Sequence, residues 1–487
     1  MMTRTELTLL VPEIIVVAVA AAILLVSVVS KRDNRWLTLM LGIAGALAAG
    51  AFSLQYLDID PTPIFSGQLT IDRFTVFLRL VFLLVAVATL VLTVDQLERI
   101  PFAEFAATVL FSTVGMMLLA GATDLIMIFI AVELMAIPVY VLTAFTRFRR
   151  ISTEAAIKYF TLGAFATAVL AYGMAWTYGL TGQTGLKAIA ESLPAIVDAP
   201  DIEVLLALGL VLVGMAFKVA VVPFHVWSPD AYDGAPTPVS AFMSVGPKIG
   251  AMAMLVRMVG MAFEPVSANI QVLLYVLAAA SIIGGNIWAV QQTNIKRMLA
   301  YSSIAHSGYM LAGIAAATVA GTGDRPFYTL LYYGVAYALM NIGAFAVVFV
   351  MERRTDSVEI SAFRGLAQTS WMPAVMMTIF MLSLLGMPPL AGFFGKLFII
   401  QALVGADLGW LAVVLVVGSV VSAYYYLRVV VYMFMRNPEE GADAAPFRIS
   451  DSMASVIFAA GIGSLAVGIF SNWLFEIARD SVLLASF

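Results

Sequence analysis

Residues 205–230 read LLALGLVLVGMAFKVAVVPFHVWSPD. The apolar run is longer than the roughly 20 residues that cross a bilayer. Pro223 interrupts it five residues after Lys218. A proline inside a helix removes a backbone donor and clashes with the preceding turn, so the freed carbonyls must find water or polar groups. A second stretch behaves alike. Residues 371–403 read WMPAVMMTIFMLSLLGMPPLAGFFGKLFIIQAL, which as one straight helix would extend about 50 Å. Gly386, Pro388 and Pro389 break it, and Lys396 follows. Each break thus has a lysine nearby, where freed backbone groups give an ammonium a polar place.

The rest of the chain fits a membrane setting. Of 487 residues, 62% are hydrophobic and only 11% charged, with a mean hydropathy of +0.99. A soluble domain carries roughly 25% charged residues. Cys is absent and there are only 2 His, which excludes disulfides and Cys-ligated iron–sulfur clusters and disfavours multi-His metal centres. The net charge of -4 gives no reason to expect nucleic acid. Gly461-Ile-Gly463 lacks a preceding strand and a third glycine, so it is no dinucleotide fingerprint.

Fourteen stretches are long and apolar enough to span, near 9–30, 36–57, 73–94, 105–122, 123–145, 154–179, 203–228, 238–261, 270–290, 299–320, 327–351, 371–403, 408–433 and 452–475. The expected fold is an all-α polytopic membrane protein of about 14 transmembrane helices. Alternate loops carry Lys31, Arg32, Arg35, Arg99, Arg147, Arg149, Arg150, Lys296, Arg297, Arg353, Arg354, Arg364, Arg436 and Arg448. The other side has Arg4, Arg73, Lys187, Arg325 and Arg479, with Arg257 near a helix end. By the positive-inside rule both termini lie on the external side.

The broken stretches are the seventh and the twelfth, five apart. Two five-helix units, 105–261 and 270–433, would therefore be inverted relative to each other, flanked by three helices in 1–104 and one in 434–487. Inverted-repeat transporters place Pro/Gly-interrupted segments at their ion path.

Ionisable side chains inside a membrane cost several kcal/mol, roughly 2.5–3.5 each on the insertion scale, and mark ion or proton paths. Lys158, Lys218, Lys248 and Lys396 lie within apolar stretches, and Glu133 stands isolated in IFIAVELMAIPVYVL. Lys248 sits near a helix centre, too deep to snorkel. Lys396 lies toward the end of its run, where snorkelling is easier. Lys158 follows Glu154 by four residues, and a surface pair explains it adequately. His225 and His306 suit either a relay or a hydrogen-bonded structural role. Arg79 is expected to anchor a structural contact.

Three long motifs resemble the proton-antiporter-like core of respiratory complex I: FKVAVVPFHVWSPDAYDGAPTPVSAFMSVGPK at 217–248, NIKRMLAYSSIAHSGYM at 294–310 and GMPPLAGFFGK at 386–396. KYFTLGAFATAVLAYGMAWTYGLTG at 158–182 is similar to the subunit N branch of bacterial NADH-quinone oxidoreductase. The M branch carries glutamate where this chain has Lys396. The L branch has a long lateral helix after the core, whereas this sequence ends at Phe487.

The resemblance implies a proton-translocating subunit of the bacterial plasma membrane. Glu133 would pair with Lys218, Lys248 would be the central relay and Lys396 the terminal site. His225 and His306 would be intermediates and Lys158 auxiliary. No cofactor is expected in this chain; flavin, iron–sulfur clusters and quinone would belong to partner subunits. Partners would be antiporter-like paralogues and small subunits of the membrane arm, within the lipid bilayer. A subunit of a multi-subunit cation/proton antiporter, or a structural membrane-arm subunit, is the alternative.

Overall fold

The computed structural model describes residues 4–29, 35–96, 100–196, 202–319, 325–438 and 447–483. Lys31, Arg32, Arg99 and Phe487, used above, lie outside them. The described chain is almost wholly helical. It opens with α1 (Arg4–Leu9), α2 (Val11–Val29) and α3 (Arg35–Ser53). A small hairpin, β1 (Thr62–Ile64) antiparallel to β2 (Leu69–Ile71), leads into α4 (Arg73–Leu92). Next come α5 (Phe102–Gly121), α6 (Leu125–Thr143), α7 (Arg150–Thr181) and the short α8 (Leu186–Ile196). The seventh stretch is α9 (Ile202–Val219) plus α10 (Trp227–Gly234), followed by α11 (Thr237–Arg257). The second half holds α12 (Ser267–Val290), α13 (Ile295–Ala317), α14 (Arg325–Thr355), the single-turn α15 (Leu366–Thr369), α16 (Trp371–Leu385), α17 (Ala391–Gly405) and α18 (Gly409–Met435). The chain closes with α19 (Asp451–Ile469) and α20 (Ser471–Leu483).

Twelve of these helices are long and apolar enough to cross a membrane. The expected tenth span, α13, is long enough but carries too many polar residues to be one of the twelve, and the expected twelfth is instead two helices, α16 and α17, of 15 residues each. Each is about 22 Å long, so neither alone covers a hydrocarbon core about 30 Å thick. The seventh stretch also differs from its reading. Helix stops at Val219, before the proline, and resumes at Trp227, running to Gly234 rather than ending at 228. Ala220 takes a left-handed φ of 61° there, which fixes where the helix stops. The Val222–Pro223 and Pro388–Pro389 peptides are cis. The last stretch also divides, and α20 is a separate helix.

The interior is built around α11 and α14. Every residue of α11 is buried, although its composition is no more apolar than that of its neighbours. Helix α11 packs on α4, α5, α6, α9, α13 and α14. The helices α3, α12 and α18 expose broad apolar faces, such as Val276, Ile283 and Ile287 on α12. Such faces suit acyl chains, which need no polar partner from them.

Two local arrangements recur. Asp124 caps α6 through Ile126 N–H, while Leu125 N–H donates to Thr184 and Leu186 N–H to Thr123. Asn294 caps α13 through Lys296 and Arg297 N–H, while Ile295 N–H donates to Val358 and Ile360 N–H to Thr293. Gly115 of α5 lies against the backbone of Met135, and Gly285 of α12 against that of Ala305. The pairs 115/285, 124/294 and 135/305 share one spacing, 170 residues.

Two buried ion pairs tie the first helices to the rest. Arg79 of α4 donates to Glu13 of α2 at 2.7 Å, the structural contact expected of it. Arg257 spans both oxygens of Asp72, at 2.8 and 2.9 Å, and donates to Ala120 O. Arg257 was counted above with the loop charges; it is fully buried, so it says nothing of sidedness. Lys296 was counted likewise. It is 2% exposed and donates to the carbonyls of Asp233 and Ala235, inside the bundle end.

Candidate functional site

The structure brings Glu133 of α6 and Lys218 of α9 together. Lys218 Nζ lies 3.4 Å from Glu133 Oε1 and 3.3 Å from the Tyr140 hydroxyl. Thr167 of α7 donates to the same Glu133 oxygen at 2.7 Å. Lys218 is the more enclosed partner, at 5% side-chain exposure against 24% for Glu133. Tyr140 reaches Lys218 because Gly163 makes room: a Cβ there would overlap the tyrosine hydroxyl. Tyr140 packs edge-on against Tyr159, which stacks on Trp227, and Trp227 Nε1 donates to Phe217 O at 3.1 Å. The lysine thus stands at the end of α9 under an aromatic cover.

The break beside it is satisfied by side chains from the second half. Val222 N–H donates to Ser281 Oγ at 2.9 Å. Ser307 Oγ lies 2.9 Å from Val219 O and 3.0 Å from Ser303 O, two carbonyls that share its one proton. His225 stacks on Trp288, with ring centroids 4.7 Å apart, and its Nδ1 has no partner of hydrogen-bond geometry among the described residues.

Lys248 lies in mid-α11, 1% exposed. Its Nζ donates to the Ser303 carbonyl at 3.1 Å and to the Ser303 hydroxyl. Tyr337 donates to that hydroxyl at 2.7 Å, and Tyr232 lies 3.3 Å from it. Asn341 donates to Tyr337 and to Ser244 of α11. His306, one turn beyond Ser303 on α13, pairs Nδ1 with Tyr333 at 2.6 Å and Nε2 with Tyr426 at 3.2 Å. Tyr426 meets Ser302 at 2.5 Å.

Lys396 does not snorkel. It is 5% exposed and turns back onto the break, donating to Leu384 O at 3.0 Å and Leu385 O at 2.9 Å. These carbonyls end α16, where no helical N–H follows, so the ammonium replaces the missing donors. Its Nζ stands 4.9 Å from the Tyr309 ring centre. Tyr309 accepts from Asn286, whose amide oxygen accepts from Tyr425.

Lys158 stands apart from this band. It is about half exposed and pairs with Glu154 at 2.9 Å, as the spacing predicts. It also pairs with Asp230 of α10 at 3.0 Å, which the sequence did not suggest. Asp230 binds Arg297 of α13 at 2.7 Å. Partial burial opposes its charge, but the hydrogen bonds from Arg297 and Lys158 outweigh this and hold the carboxyl below its ordinary range.

Sequence reasoning singled out the charges and missed the hydroxyls that join them. One signal was present. Tyr333, Tyr337 and Asn341 recur every four residues in an apolar stretch, which puts them on one face of α14. Thr167, four residues after Gly163, follows the same rule on α7.

Residues 122–422 match the family described as NADH:quinone oxidoreductase/Mrp antiporter, TM. Over 483 residues the chain is 40% identical to the NADH-quinone oxidoreductase subunit N of Trichlorobacter lovleyi, covering 98% of this chain and 97% of that one. Over 473 residues it is 43% identical to subunit N 1 of Herpetosiphon aurantiacus, covering 95% and 94%. A chain of respiratory complex I from Thermus thermophilus with bound aureothin superimposes with a TM-score of 0.80 at 35% identity, covering 96% of this chain and 98% of that one. The Mrp complex from Dietzia sp. shares the fold, with a TM-score of 0.85 at 22% identity. Full-length likeness, the family match and the broken helices agree: the chain belongs to the NADH-quinone oxidoreductase subunit N family, the antiporter-like, proton-translocating membrane subunits of respiratory complex I.

Proposed function

We propose that protons pass through this chain along Glu133–Lys218, Lys248 and Lys396, with His225 and His306 between them and Lys158 auxiliary. One observation carries the reading. Lys248 donates into a buried band of hydroxyl, amide and imidazole groups; Ser307 of that band reaches Val219 O, one residue beyond Lys218, and the ring of its Tyr309 lies 4.9 Å from Lys396 Nζ. Three buried lysines are costly to insert, and a band that can pass protons gives that cost a use. Glu133 favours a charged Lys218, so a movement of the carboxylate loads or releases a proton there. A neutral imidazole accepts at one nitrogen and donates at the other, and His306 has a tyrosine hydroxyl at each, Tyr333 at Nδ1 and Tyr426 at Nε2.

The path runs through two inverted five-helix repeats, 105–261 and 270–433, within fourteen spans whose ends both face the external side of the bacterial plasma membrane. The matched caps at Asp124 and Asn294, the matched glycine contacts and the break in each unit support this division. The redox chemistry, with its flavin, iron–sulfur clusters and quinone, lies in partner subunits. Antiporter-like paralogues and small membrane subunits are the neighbours in the membrane arm.

Lys396 supplies the test. In membranes with matched amounts of assembled complex, Lys396→Ala should lose most proton translocation. Lys396→Arg, which stays charged, should fail as well. Normal translocation by the Ala variant would remove Lys396 from the path.

A further inference from the structure

The polar band narrows to a single hydroxyl beside Lys248. Ser303 Oγ accepts from Lys248 Nζ and from Tyr337, and its third neighbour is Tyr232. A hydroxyl has one proton and two acceptor sites. With Lys248 charged, both acceptor sites are filled and the Ser303 proton points to Tyr232. A neutral amine gains a lone pair, and the Ser303 hydroxyl can then turn its proton onto Nζ, leaving Tyr232 to donate in return. The Ser303 hydroxyl can therefore partner Lys248 in both charge states without any side chain leaving its place. No carboxylate among the described residues forms an ion pair with Lys248. The titratable groups around it are Tyr232 on α10, Tyr337 on α14 and His306 on α13.

A second observation is independent of this geometry. Glu133 stands two residues before Met135, and Ser303 two before Ala305, so the 170-residue spacing makes them counterparts. Glu133 faces Lys218 within the first unit, whereas its counterpart Ser303, in the second unit, reaches across to Lys248 of the first. A carboxylate favours the ammonium; a hydroxyl accommodates ammonium and amine alike.

We infer that Ser303 is a positioning residue for proton transfer, a reversible hydroxyl partner that leaves Lys248 free to gain and lose its proton. This rests on the relay role of Lys248 proposed above. The test uses the whole complex in membranes, at matched amounts of assembled enzyme, with proton translocation and quinone reduction read together. Ser303→Ala should lower translocation about fivefold or more, as removal of a hydrogen bond to a charged group implies. Ser303→Thr, which keeps the hydroxyl, should remain within about twofold. Ser303→Asp should lose translocation as the Ala variant does, because it holds the lysine charged. Lys248→Met is the reference for the parent reading. Wild-type translocation with Lys248→Met overturns both the relay and the switch. An inactive Lys248→Met beside a normal Ser303→Ala overturns the switch alone, as does a Thr variant as impaired as Ala. If Ser303→Ala fails to assemble, Tyr232→Phe carries the test by deleting, at constant shape, the hydroxyl with which Ser303 exchanges donor and acceptor roles. Unchanged translocation there also overturns the switch.

Discussion

Removing both charges of the Glu133–Lys218 pair separates a structural role from a relay. At 3.4 Å and an effective dielectric of about 20, their attraction is about 5 kcal/mol. Desolvation offsets much of it, yet removing one partner of a buried pair still costs about 3–5 kcal/mol, because the other charge is stranded. The two partners differ in what they keep. Without Lys218, Glu133 retains the Thr167 hydrogen bond and its partial exposure. With Glu133→Gln, Lys218 keeps neutral acceptors only, the new amide oxygen and Tyr140. Lys218→Met should therefore depress assembly less than Glu133→Gln does. With about 1.4 kcal/mol per factor of ten, the cost of a stranded charge is enough to change the assembled fraction severalfold. The double variant Glu133→Gln with Lys218→Met strands nothing, so it should assemble near the wild-type level. It should nevertheless lose most proton translocation, since neither the carboxylate nor the amine remains at this position to take up a proton. The assay compares assembled complex on native gels with translocation and quinone reduction in membranes. A double variant with full translocation would show that the pair is structural and would refute its place in the path.

Gly386 has a φ of 93°, and a Cβ there would sit 3.1 Å from Lys396 Cδ. Gly386→Ala should cost about 1–2 kcal/mol of backbone strain and displace the lysine from the carbonyls, lowering translocation more than assembly. A reporter fused after Phe487 should signal the external compartment; a cytoplasmic signal would mean an odd number of spans.

The two breaks were legible because proline and glycine act through the backbone, whatever surrounds them. Their extent was not. Where α9 stops depends on Ala220 adopting a left-handed conformation and on Ser281 and Ser307, from α12 and α13, taking up the freed groups. Those partners are some 60 to 90 positions away in sequence, and nothing local announces them. Insertion cost says that Glu133 and Lys218 each need a partner, but it does not choose among the buried lysines; that these two pair with each other followed from the family resemblance. Snorkelling counted against a relay role for Lys396 in the sequence because its distance from the end of the apolar run is judged there along one continuous helix. Once the helix folds at Gly386, the nearest polar groups are the carbonyls behind it rather than the bilayer surface. Lys296 was missed for the opposite reason: it follows polar residues, so it read as a loop charge, while α10 and its trailing turn cover it.

The choice between arginine and lysine sorts the buried charges further. Arg79 with Glu13 and Arg257 with Asp72 are enclosed, and each fastens one helix to another. Arginine does not lose its proton in proteins, and its planar fork fixes geometry, so these pairs can hold but not carry. Lysine can shed its proton when buried, and its amine then offers an acceptor. Lys218, Lys248 and Lys396 face hydroxyls, carbonyls and one carboxylate that is itself partly exposed. Under the proposed path the cations that fasten are arginines and the cations that move charge are lysines. Lys296 marks the boundary of that rule. It is a buried lysine held by two carbonyls at a bundle end, close to the aqueous cluster of Asp230, Arg297 and Lys158. Chemistry alone leaves it able to exchange a proton; what sets it apart is that its hydrogen bonds go to two backbone carbonyls rather than to the hydroxyl band.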